Sequence, residues 1–142
     1  MKKLYFLLFV TFAGCNYPKD PHHSFEKAKE NRLRVGAIVN PPFVTREDGS
    51  IGGSEIKIIK DFAKGENLKL KIEEGSESDL VEKLEKYEVD IIAGGFDKKS
   101  IWKKKAGLTT PYDKKHVFFI PKGENRLLQQ LESFILEKVD KP

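Results

Sequence analysis

The sequence predicts an α/β fold, a mostly parallel sheet with helices on both faces, and three observations predict it. "LRVGAIV" (33–39) and "VDIIAGG" (89–95) are near-continuous apolar runs, the pattern of parallel strands covered on both sides. Stripes of apolar residues at helical spacing fall between the strands. "LKLKIEE" (68–74) alternates apolar and polar residues, so it belongs at a sheet edge with one face wet.

The chain opens "MKKLYFLLFVTFAGC". Lys2 and Lys3 precede an apolar run, Leu4 to Phe12, that is too short to span a bilayer as a stable helix. Small residues Ala13 and Gly14 then lead to Cys15, the only cysteine in the chain. This arrangement resembles a bacterial lipoprotein signal, which implies removal of residues 1–14 and lipidation of Cys15. The reading excludes an intramolecular disulfide. Loss of Lys2 and Lys3 lowers the formal charge from +4 to +2, so the basic pI carries no argument for a nucleic-acid partner. Residues 15–31, polar and proline-bearing, read as a lipidated tether. His22 and His23 lie within it and are not read as metal ligands; no metal or cofactor is expected.

The remainder, 32–142, holds one core rather than two. After the first strand, Ile56, Ile59, Phe62 and Ala63 form a helical stripe with Ser54 as its N-cap. Leu80, Val81 and Leu84 form a second stripe, opened by Ser76 with Asp79 three residues on, close to a capping box. "KHVFFIPK" (115–122) reads as a further strand. "ENRLLQQLESFILEKV" (124–139) is an amphipathic helix with Leu127, Leu128, Leu131, Phe134 and Ile135 on one face. With the alternating strand at the edge, the first strand lies beside the third. That adjacency creates a switch point, and ligands bind beyond the carboxyl ends of strands there. Those ends are "NPPF" (40–43) and "GGFD" (94–97).

These segments resemble the periplasmic solute-binding proteins of amino-acid ABC transporters, the bacterial extracellular solute-binding proteins of family 3. "LRVGAIVNPPFVTREDGSIGGSEIKIIKDFA" is similar to the family's opening strand, aromatic-bearing turn and Gly-led helix. "VDIIAGGFDKKSIWKKKAGLTTPY" has the family's spacing from the third strand to its Pro-Tyr. The resemblance implies a type II periplasmic-binding-protein-like fold and a small polar ligand, amino-acid-like or related. It also implies an ABC-type transporter or sensor as membrane partner. Two departures stand out. "TTPY" runs almost directly into the returning strand and helix, so the second lobe is missing internally and one lobe is expected. The family's carboxylate-binding positions fall on Gly94, Gly95, Asp97, Lys99 and Trp102, and the clamping Arg is replaced by Trp102, which has no bidentate fork.

The candidate ligand-binding residues are Phe43, Glu55, Gly94, Gly95, Phe96, Asp97, Lys99 and Trp102. Gly94 and Gly95 either offer backbone N–H groups to a ligand or simply make a tight turn. Phe43 and Phe96 either stack on a ligand or plug the core beneath the cleft. Glu55, Glu77 and Asp97 favour a cationic ligand, although Glu55 also suits a helix N-terminus. Tyr112 occupies the family's hinge position, and His116 reads as a packing residue. The lysines from 98 to 105 read as a solvated face. No Ser-His-Asp, Cys-His or paired-carboxylate arrangement points to catalysis, so no enzyme activity is expected. Two functions remain: a membrane-anchored protein holding a solute in a half-cleft, with a second chain completing the cleft or not, and an interaction module that lost its ligand and uses the cleft face against a partner protein.

Overall fold

The computed structural model describes residues 20–139. The expected signal peptide (1–14) and Cys15 lie outside the described residues. Four helices and seven strands follow in order: α1 (Ser24–Glu30), β1 (Leu33–Ala37), β2 (Thr45–Glu47), β3 (Ser50–Gly52), α2 (Ser54–Gly65), β4 (Leu70–Glu74), α3 (Glu77–Glu85), β5 (Ile91–Asp97), β6 (Gly107–Leu108), β7 (His116–Ile120) and α4 (Asn125–Val139). The central sheet has the order β4-β1-β5-β7-β6. β1 pairs parallel to both β4 and β5, and β7 returns antiparallel beside β5. The alternating strand is at the edge and the first strand lies beside the third, as its pattern requires.

Strand alternation sorts the apolar side chains into two layers. Leu33, Val35 and Ala37 of β1, Ile91 and Ala93 of β5, and Phe118 and Ile120 of β7 pack with α1, α2 and α4. Ile92, Phe96, Val117 and Phe119 face the other way, onto Leu80, Val81 and Leu84 of α3. Leu127, Leu131 and Ile135 of α4 are fully buried, while Leu128 and Phe134 flank them half-buried. Ser76 caps α3 as its spacing indicates, accepting from the Asp79 N–H at 3.2 Å. Ser54 does not cap α2. It is the first helical residue, Gly53 takes the cap position, and no side chain satisfies that end.

The expected tether at 15–31 is corrected in its second half. Residues 24–30 form α1, whose Phe25 and Ala28 are buried in the core. The two terminal helices clasp each other through carboxylates. Glu124, just before α4, accepts from the N–H groups of His22 and Ser24 at 2.8 and 3.1 Å. Asp20 accepts from the Arg126 N–H at 2.8 Å. Each carboxylate thus satisfies donors at the start of the other's helix. Composition hid this helix because only two of its seven residues are apolar enough to signal a buried face.

Candidate functional site

The carboxyl ends of β1 and β5 meet the turn after β1 and the loop before β7. Asn40 leaves β1 and donates from its side chain to the Gly94 carbonyl at 2.9 Å. The Pro41-Pro42 turn then folds the chain back, with an Asn40–Val44 bridge closing it. This swings Phe43 over β5, where its ring lies 4.4 Å from that of His116. Gly95 lets the ring come that close. It holds φ +70, and a Cβ there would stand 2.5 Å from Phe43 Cδ2 and 2.7 Å from Asn40 Nδ2.

Beneath Phe43 lies Glu55, fully buried in the first turn of α2. Its Oε1 accepts the N–H groups of Gly94 and Gly95, both at 3.0 Å. Its Oε2 accepts the Tyr112 hydroxyl at 2.7 Å. Burial pushes the Glu55 carboxyl above its ordinary 4.5, while the Gly95 N–H, the Tyr112 hydroxyl and the Gly94 N–H pull it back part of the way. Burial and the facing carboxylate drive the Tyr112 hydroxyl well above its ordinary 10.0. Tyr112 therefore stays a neutral donor and Glu55 its acceptor.

At the rim, Asp97 ends β5 opposite His116 of β7. Its carboxylate caps the following turn through the Lys99 N–H at 2.7 Å, and Lys115 approaches at 4.0 Å. Asp113 bonds the His116 ring and backbone, both at 2.6 Å. Phe43, Asn40, Gly95, Asp97, Tyr112 and His116 make one polar–aromatic face over the buried, fully bonded Glu55.

The expected site residues therefore divide. Phe43, Glu55, Gly94 and Gly95 come together, with Asp97 at the edge. The two glycine N–H groups, one of the two readings of the "GG" pair, are already taken by Glu55. Glu55 is itself sealed below the surface, so it supports the face and does not line it. Phe96 turns into the α3 layer, stacked on Phe119 at 4.0 Å, and is core. Lys99 is exposed in the turn after β5. Trp102 is half-buried against the α3 layer, and its indole N–H donates to Glu77 Oε2 at 3.0 Å. Asn40 and His116 were not singled out as site residues. The Asn before Pro-Pro was the available signal for the first, and its meaning depends on a carbonyl 54 residues away. Among the described residues no group of three or more His, Cys, Asp or Glu is placed to hold a metal ion.

A mostly parallel sheet with helices on both faces and a polar face at the strand ends defines one lobe of a periplasmic-binding-protein fold. The chain belongs to the bacterial extracellular solute-binding proteins, family 3, whose family model matches residues 33–141. No curated protein matches it. Among solved structures it is similar to the arginine-bound form of domain 1 from TmArgBP, with TM-score 0.71 and 21% identity over 78% of this chain and 97% of that one. It is also similar to an ancestral cationic amino acid solute-binding protein, with TM-score 0.73 and 15% identity over 83% and 96% of the two chains. A substrate-binding protein of an amino acid ABC transporter follows at TM-score 0.64 and 14% identity, over 74% and 92%.

Proposed function

We propose that this chain is a lipid-anchored, single-lobe solute-binding protein that holds a small cationic, amino-acid-like solute for a membrane transporter or sensor. The observation that carries the reading is the convergence of Phe43, Asp97, Tyr112 and His116 at the β1–β5 switch point over the buried Glu55 brace. An aromatic ring and a carboxylate that both adjoin His116 suit an ammonium or guanidinium group. That a structural neighbour is the arginine-bound form of a single domain supports binding by one lobe. With one side of the solute covered, affinity belongs in the range of about micromolar to millimolar. A second chain closing the face would tighten it.

A second reading rests on its own observations. The Gly94 and Gly95 donors are consumed, and Ile101, in the loop after β5, is 83% exposed. Such a face fits an interaction module docking on a partner protein. A thermal-shift screen over amino acids, amines and organic acids separates the two, because a ligand that binds only the folded state raises Tm. Stabilisation by arginine or lysine that Phe43→Ala abolishes supports solute binding. A flat screen, with a protein crosslinked through position 101, supports the module. Cys15→Ser tests the anchor: the variant is expected in the soluble exported fraction or unprocessed, and unchanged membrane attachment contradicts lipidation.

A further inference from the structure

At the opposite end of the sheet from the candidate site lies an open groove of about 520 Å³. It is rich in cations from three elements: Lys27 of α1, Arg32 and Arg34 at the start of β1, and Lys69 and Lys71 at the start of β4. Arg34 and Lys71 are direct cross-strand partners, and Arg32 and Lys69 stand two residues back along the same strands. Like charges facing each other across a sheet are unfavourable unless something answers them. Two carboxylates line the groove. Asp90 is buried and consumed by Arg34, which it binds through the backbone N–H at 2.8 Å and through two side-chain nitrogens. Glu30 is the other. Among the described residues, Lys27, Arg32, Lys69 and Lys71 form no ion pair, so the groove carries a surplus of positive charge.

On the lipid-anchor reading, the N-terminal chain brings this groove to the membrane. His22 stacks on Tyr87, a groove residue, at 3.8 Å between ring centroids. Asp20 is held beside it through Gly123 and Arg126. Four residues lie between Cys15 and Asp20, so five Cα–Cα steps set a reach of at most about 18 Å. A lipid on Cys15 therefore holds the Asp20 end of the fold, and the groove with it, next to the bilayer. We infer that the groove of Lys27, Arg32, Lys69 and Lys71 docks on an anionic phospholipid surface. Docking there turns the Phe43–Asp97 face away from the lipid, open to arriving solute. The inference takes its orientation from the lipid-anchor reading and its chemistry from the groove.

The test uses the lipidated chain reconstituted in phosphatidylcholine vesicles with and without phosphatidylglycerol. Lysine reactivity toward an amine-directed reagent is read by mass spectrometry. Lys27, Lys69 and Lys71 are expected to be protected only in the phosphatidylglycerol vesicles and only at low salt, while Lys98 and Lys99 react equally throughout. Each cation at an anionic surface contributes about fivefold to partitioning, so Lys69→Gln with Lys71→Gln should weaken vesicle binding of the unlipidated chain about 25-fold. Both substitutions are on exposed side chains and leave the core untouched. Equal reactivity in both vesicle types overturns the inference, as does protection reproduced by inorganic phosphate without vesicles. A chain that washes off neutral vesicles shows that the anchor reading has failed. The 25-fold difference on anionic vesicles then still decides for or against the groove.

Discussion

Gly95→Ala is the substitution that probes the candidate face most sharply. Gly95 sits at φ +70, where an L side chain is strained by about 1–2 kcal/mol. The new methyl would also stand 2.5 Å from Phe43 Cδ2 and 2.7 Å from Asn40 Nδ2, far inside contact distance. Neither neighbour retreats freely, because Asn40 is bonded to the Gly94 carbonyl and Phe43 packs on His116. Overpacking of this kind adds about 1–3 kcal/mol. The expected total is about 2–5 kcal/mol, the sum of the backbone and packing costs. Gly49→Ala is the matched control: φ is +78, but nothing lies within 4 Å of a Cβ there, so only the backbone cost applies. Urea unfolding followed by circular dichroism reads both. At a slope of about 1–3 kcal/mol per molar urea, Gly95→Ala should lower the midpoint by roughly twice as much as Gly49→Ala, with the slope unchanged. Equal midpoints for the two variants would refute the close packing of Phe43 across Gly95.

Glu55→Gln leaves one of three converging donors facing an amide nitrogen, and should cost about 1–3 kcal/mol at neutral pH. Its pH dependence has a definite sign. The folded carboxyl lies above 4.5, so just above that pH the folded state holds more protons than the unfolded one. The Glu55 contribution is therefore fully present below pH 4.5 and is lost as pH rises through the folded value; Glu55→Gln should remove that downward slope from a stability profile. Asp113 acts oppositely. Burial pushes it up, but the His116 N–H and ring and the Lys115 N–H outweigh that and hold it below 3.8. Its contribution is present above 3.8 and is lost as pH falls through the lowered value. Phe25→Ala should cost about 3–5 kcal/mol if α1 is core, measured by the same urea unfolding. A change near zero would return residues 24–30 to the status of a tether.

The layered sheet was legible because each strand announced itself through burial. Leu33–Ala37 and Ile91–Asp97 are near-continuous apolar runs, broken only by Arg34 and the terminal Asp97, since both faces are covered, and β4 alternates because it is an edge. α3 was legible from Ser76 and Asp79, a cap whose partners are three residues apart. Long-range satisfaction was not legible. Glu55 looked like a ligand or dipole residue, and its partners Gly94, Gly95 and Tyr112 are 39, 40 and 57 residues away. α1 was hidden by its composition, with Phe25 and Ala28 its only apolar residues, and the carboxylate that caps it is Glu124, about a hundred residues downstream. Phe96 was ambiguous because it lies near the carboxyl end of β5, where a ring can line a cleft or pack inward; it shares the α3 face with Ile92 and packs inward. Phe43 and Asp97 were placed at the strand ends by topology alone, and there the structure puts them.

The face around Phe43 and Asp97 is proposed to hold a small cationic solute. Titration of the isotopically labelled chain with arginine and lysine, followed amide by amide by NMR, tests it most directly. Saturable shifts are expected at Asn40, Phe43, Gly95, Asp97 and His116, with a Kd of about micromolar to millimolar and no shifts around Lys69 and Lys71. Amides that stay fixed through millimolar arginine and lysine would contradict it, as would shifts that cluster away from the carboxyl ends of β1 and β5.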